Sequence, residues 1–213
     1  MKKLLPVLAL ALLAACSTGG DEPLPPAAYD QPVLNADGTL SGIQGIDSRH
    51  WALVDADLRK GIFWYAFANR LTRQCPEAYP EHKDWLGEVN LLVQRASGQA
   101  ARTGIGMERA RLQTLAEGAD RAAVGLEAMT VAEMDIATVV RGWIRSATGD
   151  DVADGDALLK GCGLLFDRDN LRGLLRNATQ PLSAYYNRIR DEHPEIFDAT
   201  RGAEGIARRL EKI

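Results

Sequence analysis

The chain has 213 residues, 46% of them hydrophobic, and a formal net charge of −4 from 25 Lys+Arg against 29 Asp+Glu. That length supports a single sizeable hydrophobic core. The acidic balance argues against nucleic acid as a partner, because such binding rests on neutralising phosphates with Lys and Arg.

In chain order, Lys2 and Lys3 come first, followed by an apolar run over residues 4–14. As a helix this run is too short to cross a hydrocarbon core of roughly 30 Å. The small residues Ala14 and Ala15 fit a peptidase site. The run Leu13-Ala14-Ala15-Cys16 resembles the lipobox of bacterial lipoproteins, a likeness confined to residues 1–17. The resemblance implies removal of residues 1–15 and lipidation of Cys16, which becomes the new N-terminus. Two or more acyl chains hold a protein stably on a membrane. Ser17 follows the lipidated cysteine, which resembles the choice that sorts such proteins to the outer membrane, facing the periplasm, in preference to the inner membrane. The alternative is an ordinary secreted protein with Cys16 incidental. No later apolar run approaches a membrane span.

With Cys16 assigned to lipid, Cys75 and Cys162 remain, and an even pair in an oxidising envelope reads as a disulfide. Closing so long a loop is worth about 4–5 kcal/mol in the chain-entropy description. The rival is a nucleophilic Cys162, since Gly161 and Gly163 would allow close backbone approach. No cysteine-hydrolase signature surrounds it.

Residues 16–46 read as a lipidated cysteine and a flexible tether. They hold Pro23, Pro25, Pro26 and Pro32 with several glycines, and they lack apolar periodicity. Asn35-Ala36-Asp37-Gly38 fits a turn, and part of 33–46 could pack on the domain.

From residue 47 the pattern is helical. A first helix is predicted from 48 or 57 to 74, on Trp51, Val54, Leu58, Ile62 and Tyr65, with Cys75-Pro76 as its end. A second starts near 80 or 81 on Trp85, Val89, Leu92 and Ala96, running to about 102 with Gly104 as its stop. A third covers 108–128. Thr130-Val131-Ala132-Glu133 has the capping-box pattern and should start a fourth helix carrying Ile136, Val140, Trp143 and Ile144, stopped by Gly149. Shorter helices are predicted over 157–166, 170–178, 181–192 and 203–213. No sustained period-two alternation appears. The fold expected is all-α: a single helical, bundle-like domain over 47–213 on a lipid-anchored tether.

Chemical signatures are sparse. His50, His82 and His193 lie in separate segments without metal-ligand spacing. The acidic run 150–156 places Val152 and Gly161 where an EF-hand needs ligands, so Asp154 or Asp156 reads better as a helix cap. Asp84 and Glu88 lie one helical turn apart, as many surface carboxylates do. No cofactor or metal is expected.

Two groups could form a partner surface. Phe63, Trp64 and Phe67 crowd one helix; they read as core first and as a docking face second. Arg168, Arg172 and Arg176 recur every four residues as a basic stripe suited to carboxylate or phosphate. The function expected is therefore non-enzymatic: a membrane-anchored module binding another envelope protein or peptidoglycan. The alternatives are a periplasmic immunity or inhibitor protein against a toxin or hydrolase, and, less favoured, a helical cell-wall hydrolase.

Overall fold

A computed structural model describes residues 32–35, 40–131 and 136–212. Cys16 and most of the expected tether lie outside them, as do Asp37, Gly38 and Glu133. The fold is all-α apart from one short hairpin. β1 (Pro32–Leu34) and β2 (Leu40–Ile43) pair antiparallel, with Pro32 opposite Ile43 and Leu34 opposite Leu40. This hairpin inserts Ile43 into the core. Strands of three and four residues are too short for period-two alternation to register in the sequence.

α1 (Ser48–Leu53) is capped by Asp47, whose carboxylate accepts from the Arg49 N–H at 2.8 Å and pairs with the Arg49 guanidinium. α2 (Ala56–Ala78) is the central helix. Leu58, Ile62, Phe63, Tyr65, Phe67, Leu71 and Cys75 point round it in several directions and are all buried. A helix apolar on most sides must be surrounded by others.

α2 runs through Pro76 to Ala78, one turn beyond the predicted stop. Proline biases the residue before it away from helix without barring it. Cys75 is held there by its disulfide to Cys162, and both are fully buried.

After a 3₁₀ turn at Pro80–His82, α3 (Lys83–Val93) continues through a π-helical segment (Gln94–Gly98) into α4 (Gln99–Leu115). Gly104 is therefore inside a helix and does not end one. A Cβ there would lie 2.8 Å from the Leu58 side chain, so the glycine admits α2. The predicted third helix is divided instead at Gly118, which has a φ of +74° that favours glycine. α5 (Arg121–Val131) follows the break. Thr130 lies inside α5, its hydroxyl donating to the Glu127 carbonyl, and does not act as an N-cap.

α6 (Ile136–Thr148) buries Val140, Trp143 and Ile144 as predicted and ends at Gly149. α7 (Asp154–Leu164) starts earlier than expected, with Ala153 at its N-cap and neither Asp154 nor Asp156 in that role. α8 (Arg168–Glu192) joins two predicted helices across Pro181. Asp167 caps it, accepting from the Asp169 and Asn170 N–H groups at 2.9 Å each. α9 (Pro194–Ala199) and α10 (Ala203–Leu210) close the chain. α2 packs against α3, α4, α5, α6, α7 and α8. Among the described residues no helix is long and apolar enough to cross a membrane.

One polar network sits at the α1–α2 junction. Glu108 of α4 is fully buried, and its carboxylate accepts from the Asp55 N–H at 2.7 Å and from the Arg111 guanidinium at 2.6 and 2.9 Å. The Tyr185 hydroxyl lies 3.2 Å from Glu108 and equally close to the Gly104 carbonyl. Arg111 also donates to the Leu53 carbonyl at 2.6 Å. Asp55 caps α2 and accepts from Arg188 at 2.7 Å. Arg188 pairs with Asp57 as well. Burial, and then the neighbouring Glu108 charge, push the Tyr185 hydroxyl well above its ordinary titration range.

These features set three expectations for the fold. Replacing Cys75 and Cys162 by Ala should lower stability by about 2–5 kcal/mol in urea, and the unfolded, unreduced mature protein should offer no titratable thiol from this pair. Glu108→Ala strands the Arg111 charge and the Asp55 N–H, and should cost about 3–5 kcal/mol in the same measurement. Because the Tyr185 pKa is raised on folding, its contribution is complete below the unfolded value of about 10 and is lost as the pH rises past it. Stability followed from about pH 9 to pH 11 should therefore fall in the wild type and fall less steeply in Tyr185→Phe; equal slopes would remove Tyr185 from the account.

Candidate aromatic and cationic cleft

On α2, Arg59 precedes Phe63 by four residues, and Lys60 precedes Trp64 by four. Residues so spaced share a helix face. This face meets α6 and α1 across a cleft of about 510 Å³. Trp51 comes from α1; Val139, Trp143 and Ser146 come from α6; Leu40 of β2 reaches it from the hairpin. The cleft thus gathers three of the chain's four tryptophans. Its size falls in the range of small-ligand sites, about 300–1,000 Å³.

The rings are fixed by one another. Trp64 packs edge-to-face on Phe63 at 5.9 Å and on Phe67 at 5.6 Å, and Phe67 does the same on Trp143 at 5.9 Å. Trp51, Phe63 and Trp143 are each 5% exposed, whereas Trp64 is half-buried and is the most accessible of these rings. The Arg59 guanidinium lies 5.6 Å over the Trp51 ring, a cation–π contact. Among the described residues neither Arg59 nor Lys60 has a carboxylate partner, and the cleft lining includes no acidic side chain.

Lys60 also borders a second hollow of about 240 Å³, opposite Arg176, Asn177 and Gln180 of α8, where Asp57, itself paired with Arg188, is also in the lining. Arg168, Arg172 and Arg176 are all exposed on α8. Among the described residues of the stripe, Arg172 forms an ion pair, with Asp169 at 3.7 Å, while Asp167 is occupied in capping. The aromatic run and the arginine stripe, which read in sequence as two rival surfaces, therefore adjoin at Lys60.

Several expectations are corrected or narrowed. Phe67 is fully buried and backs the cleft, so it contacts no partner from there; the docking reading narrows to Trp64 and the edge of Phe63. The glycines beside Cys162 serve packing: a Cβ on Gly161 would lie 2.5 Å from Val140, and one on Gly163 would lie 3.2 Å from the Tyr79 hydroxyl. With Cys162 in the disulfide, the nucleophile reading ends. Asp151 of the acidic loop pairs with Arg145, and among the described residues no His, Cys, Asp or Glu cluster is arranged for a metal ion. Asp84 and Glu88 are exposed on α3, away from the cleft.

Sequence reasoning missed Trp51, Arg59, Lys60 and Trp143 as site residues. The four-residue offset of Arg59-Lys60 from Phe63-Trp64 was a usable signal. The convergence of Trp51 and Trp143 was not, because it depends on how α1 and α6 pack. A further aromatic group also forms at the far end of α2, where Phe166 stacks on Trp85 at 5.0 Å and meets Tyr79 and His82.

No known family model, curated protein or solved structure matches this chain.

The two aromatic roles separate by mutation. Phe67→Ala should cost about 3–5 kcal/mol of stability, as for a filled core site. Trp64→Ala removes a half-exposed ring and should cost clearly less in the same urea titration. Equal losses would mean that Trp64 is as much core as Phe67.

Proposed function

We propose that the protein is a lipid-anchored binding module of the bacterial cell envelope, held at Cys16, that takes its ligand in the Trp51–Trp64–Trp143 cleft. The observation that carries this reading is the cleft itself: an accessible indole on a rigid aromatic floor, rimmed by two cations without acidic partners. Large aromatic and arginine side chains supply most of the energy at binding hot spots. The lipobox resemblance supports a location on the outer membrane, facing the periplasm. Ligands available there are other envelope proteins and peptidoglycan. Among the described residues the cleft lining carries no carboxylate, and Cys75 and Cys162 are joined in a disulfide, which favours binding over hydrolysis for this site.

Two measurements test the reading. Cys16→Ser should leave the membrane fraction, or persist as an uncleaved precursor, and should lose fatty-acid label; equal labelling of mutant and wild type would refute the anchor. The soluble, unlipidated mature chain should be retained by isolated envelopes. Trp64→Ala should weaken that retention by about 30-fold, equivalent to about 2 kcal/mol. Unchanged retention, with the fold verified by circular dichroism, would move the site elsewhere.

A further inference from the structure

Resting on the cleft as the binding site, we propose that its occupant is an anionic glycan, the peptidoglycan strand, and that the arginine stripe is part of the same site. The chemistry divides between two parts of the surface. Trp64 offers one accessible indole, and Phe63 and Phe67 prevent that ring from turning. A flat, fixed indole suits the apolar C–H face of a pyranose ring. It suits less well an amphipathic helix, whose recognition uses a longer groove for anchors spaced over two turns.

Charge then selects among sugars. Arg59 and Lys60 stand at the cleft rim without acidic partners among the described residues, so charge complementarity favours an occupant that brings negative charge. Peptidoglycan carries pyranose rings with free carboxylates on its peptide substituents, the lactyl carboxyl being engaged in the amide bond to the peptide. Arg59, with its guanidinium resting on Trp51 and one N–H donating to the Trp51 carbonyl at 3.4 Å, keeps its other N–H groups for a carboxylate. Ser146 adds a hydroxyl for the ring substituents.

Continuity argues for a polymer over a single small anion. Lys60 belongs to both hollows, and the second is walled by Arg176 and by Asp57, whose charge is already paired with Arg188. From Arg176 the stripe steps to Arg172 and Arg168, about 6 Å of helix rise at each step. The cationic path therefore extends over roughly 12 Å of α8 beyond the cleft. A repeating anion can occupy the cleft with one unit and the stripe with the next, and the second contact then benefits from the proximity that the first creates.

The test uses the full mature chain with Cys16→Ser, so that it is soluble. Purified sacculi are offered in co-sedimentation. Soluble disaccharide-peptides, neutral N-acetylglucosamine oligomers and lipopolysaccharide vesicles are offered in titrations followed by tryptophan fluorescence. The protein should sediment with sacculi, and disaccharide-peptides should bind at least about tenfold more tightly than the neutral oligomers. Lys60→Glu, on an exposed side chain, should weaken disaccharide-peptide binding by about tenfold or more, and added salt should weaken the wild type further. The triple variant Arg168/Arg172/Arg176→Ala should lose affinity for sacculi while keeping most of its affinity for the single disaccharide-peptide.

The assignment is overturned if sacculi retain Trp64→Ala and Lys60→Glu as well as wild type, if neutral and anionic fragments bind alike, or if lipopolysaccharide binds while sacculi do not. A photo-crosslinking residue at position 56, which lines the cleft and leaves Trp64 intact, separates failure of the ligand from failure of the site. Capture there of an envelope protein, or of the chain's own residues 17–31, without sacculus binding rejects the glycan and leaves the cleft as a binding site. No product at position 56, together with no sacculus binding, rejects both.

Discussion

Glu108 has no contact with solvent, and a carboxylate so placed is tolerated only when donors fill its oxygens. The donors come from three parts of the chain: the Asp55 N–H at the start of α2, Arg111 one turn further along α4, and Tyr185 on α8. Arg111 reaches on to the last carbonyl of α1. The exchange of α1 for α2 is therefore fixed at one point against two other helices. Trp51 lies just before that point and Arg59 just after it. The cation–π contact that forms one wall of the cleft depends on the angle set there. Breaking the buried pair costs more than its net worth, because the charge left behind has no water to turn to.

The second constraint is the crowding of α2. It is surrounded by six helices, and small residues make the approach feasible. A Cβ on Gly61 would come within 2.7 Å of Leu182, so α8 can lie close against this helix only because position 61 is glycine. The disulfide then secures the far end of α2 to α7. A core organised in this way leaves the first turns of α2 as the part of the helix that borders a cleft.

Helical periodicity made the class and much of the core legible, from Leu58 and Ile62 on α2 to Trp143 and Ile144 on α6. The disulfide was legible from the cysteine count together with the export expected from the lipobox resemblance. The errors share a cause. Gly104, Pro76 and Pro181 are local helix breakers, and each lies within a helix because tertiary packing outweighs a penalty of about 1–3 kcal/mol. Gly118 was the true break, yet nothing local distinguishes it from Gly104; the difference is that Gly104 faces Leu58. The hairpin was missed because its strands are so short. At the site, the aromatic run and the arginines were each visible, but their meeting at Lys60 is a product of the α2–α8 packing and has no signature along the chain.

The central claim is that ligand meets the cleft formed by Trp51, Trp64 and Trp143. The four indole N–H groups of the chain provide a direct measurement, because Trp85 lies at the other end of α2 and serves as an internal reference. Each indole gives one nuclear magnetic resonance signal, assignable by single Trp→Phe replacement. On titration with peptidoglycan disaccharide-peptides, the Trp64 signal should shift most, those of Trp51 and Trp143 should follow at the same ligand concentration, and that of Trp85 should stay in place. A shift confined to Trp85, or no shift at any of the three cleft indoles at saturating ligand, would contradict the account.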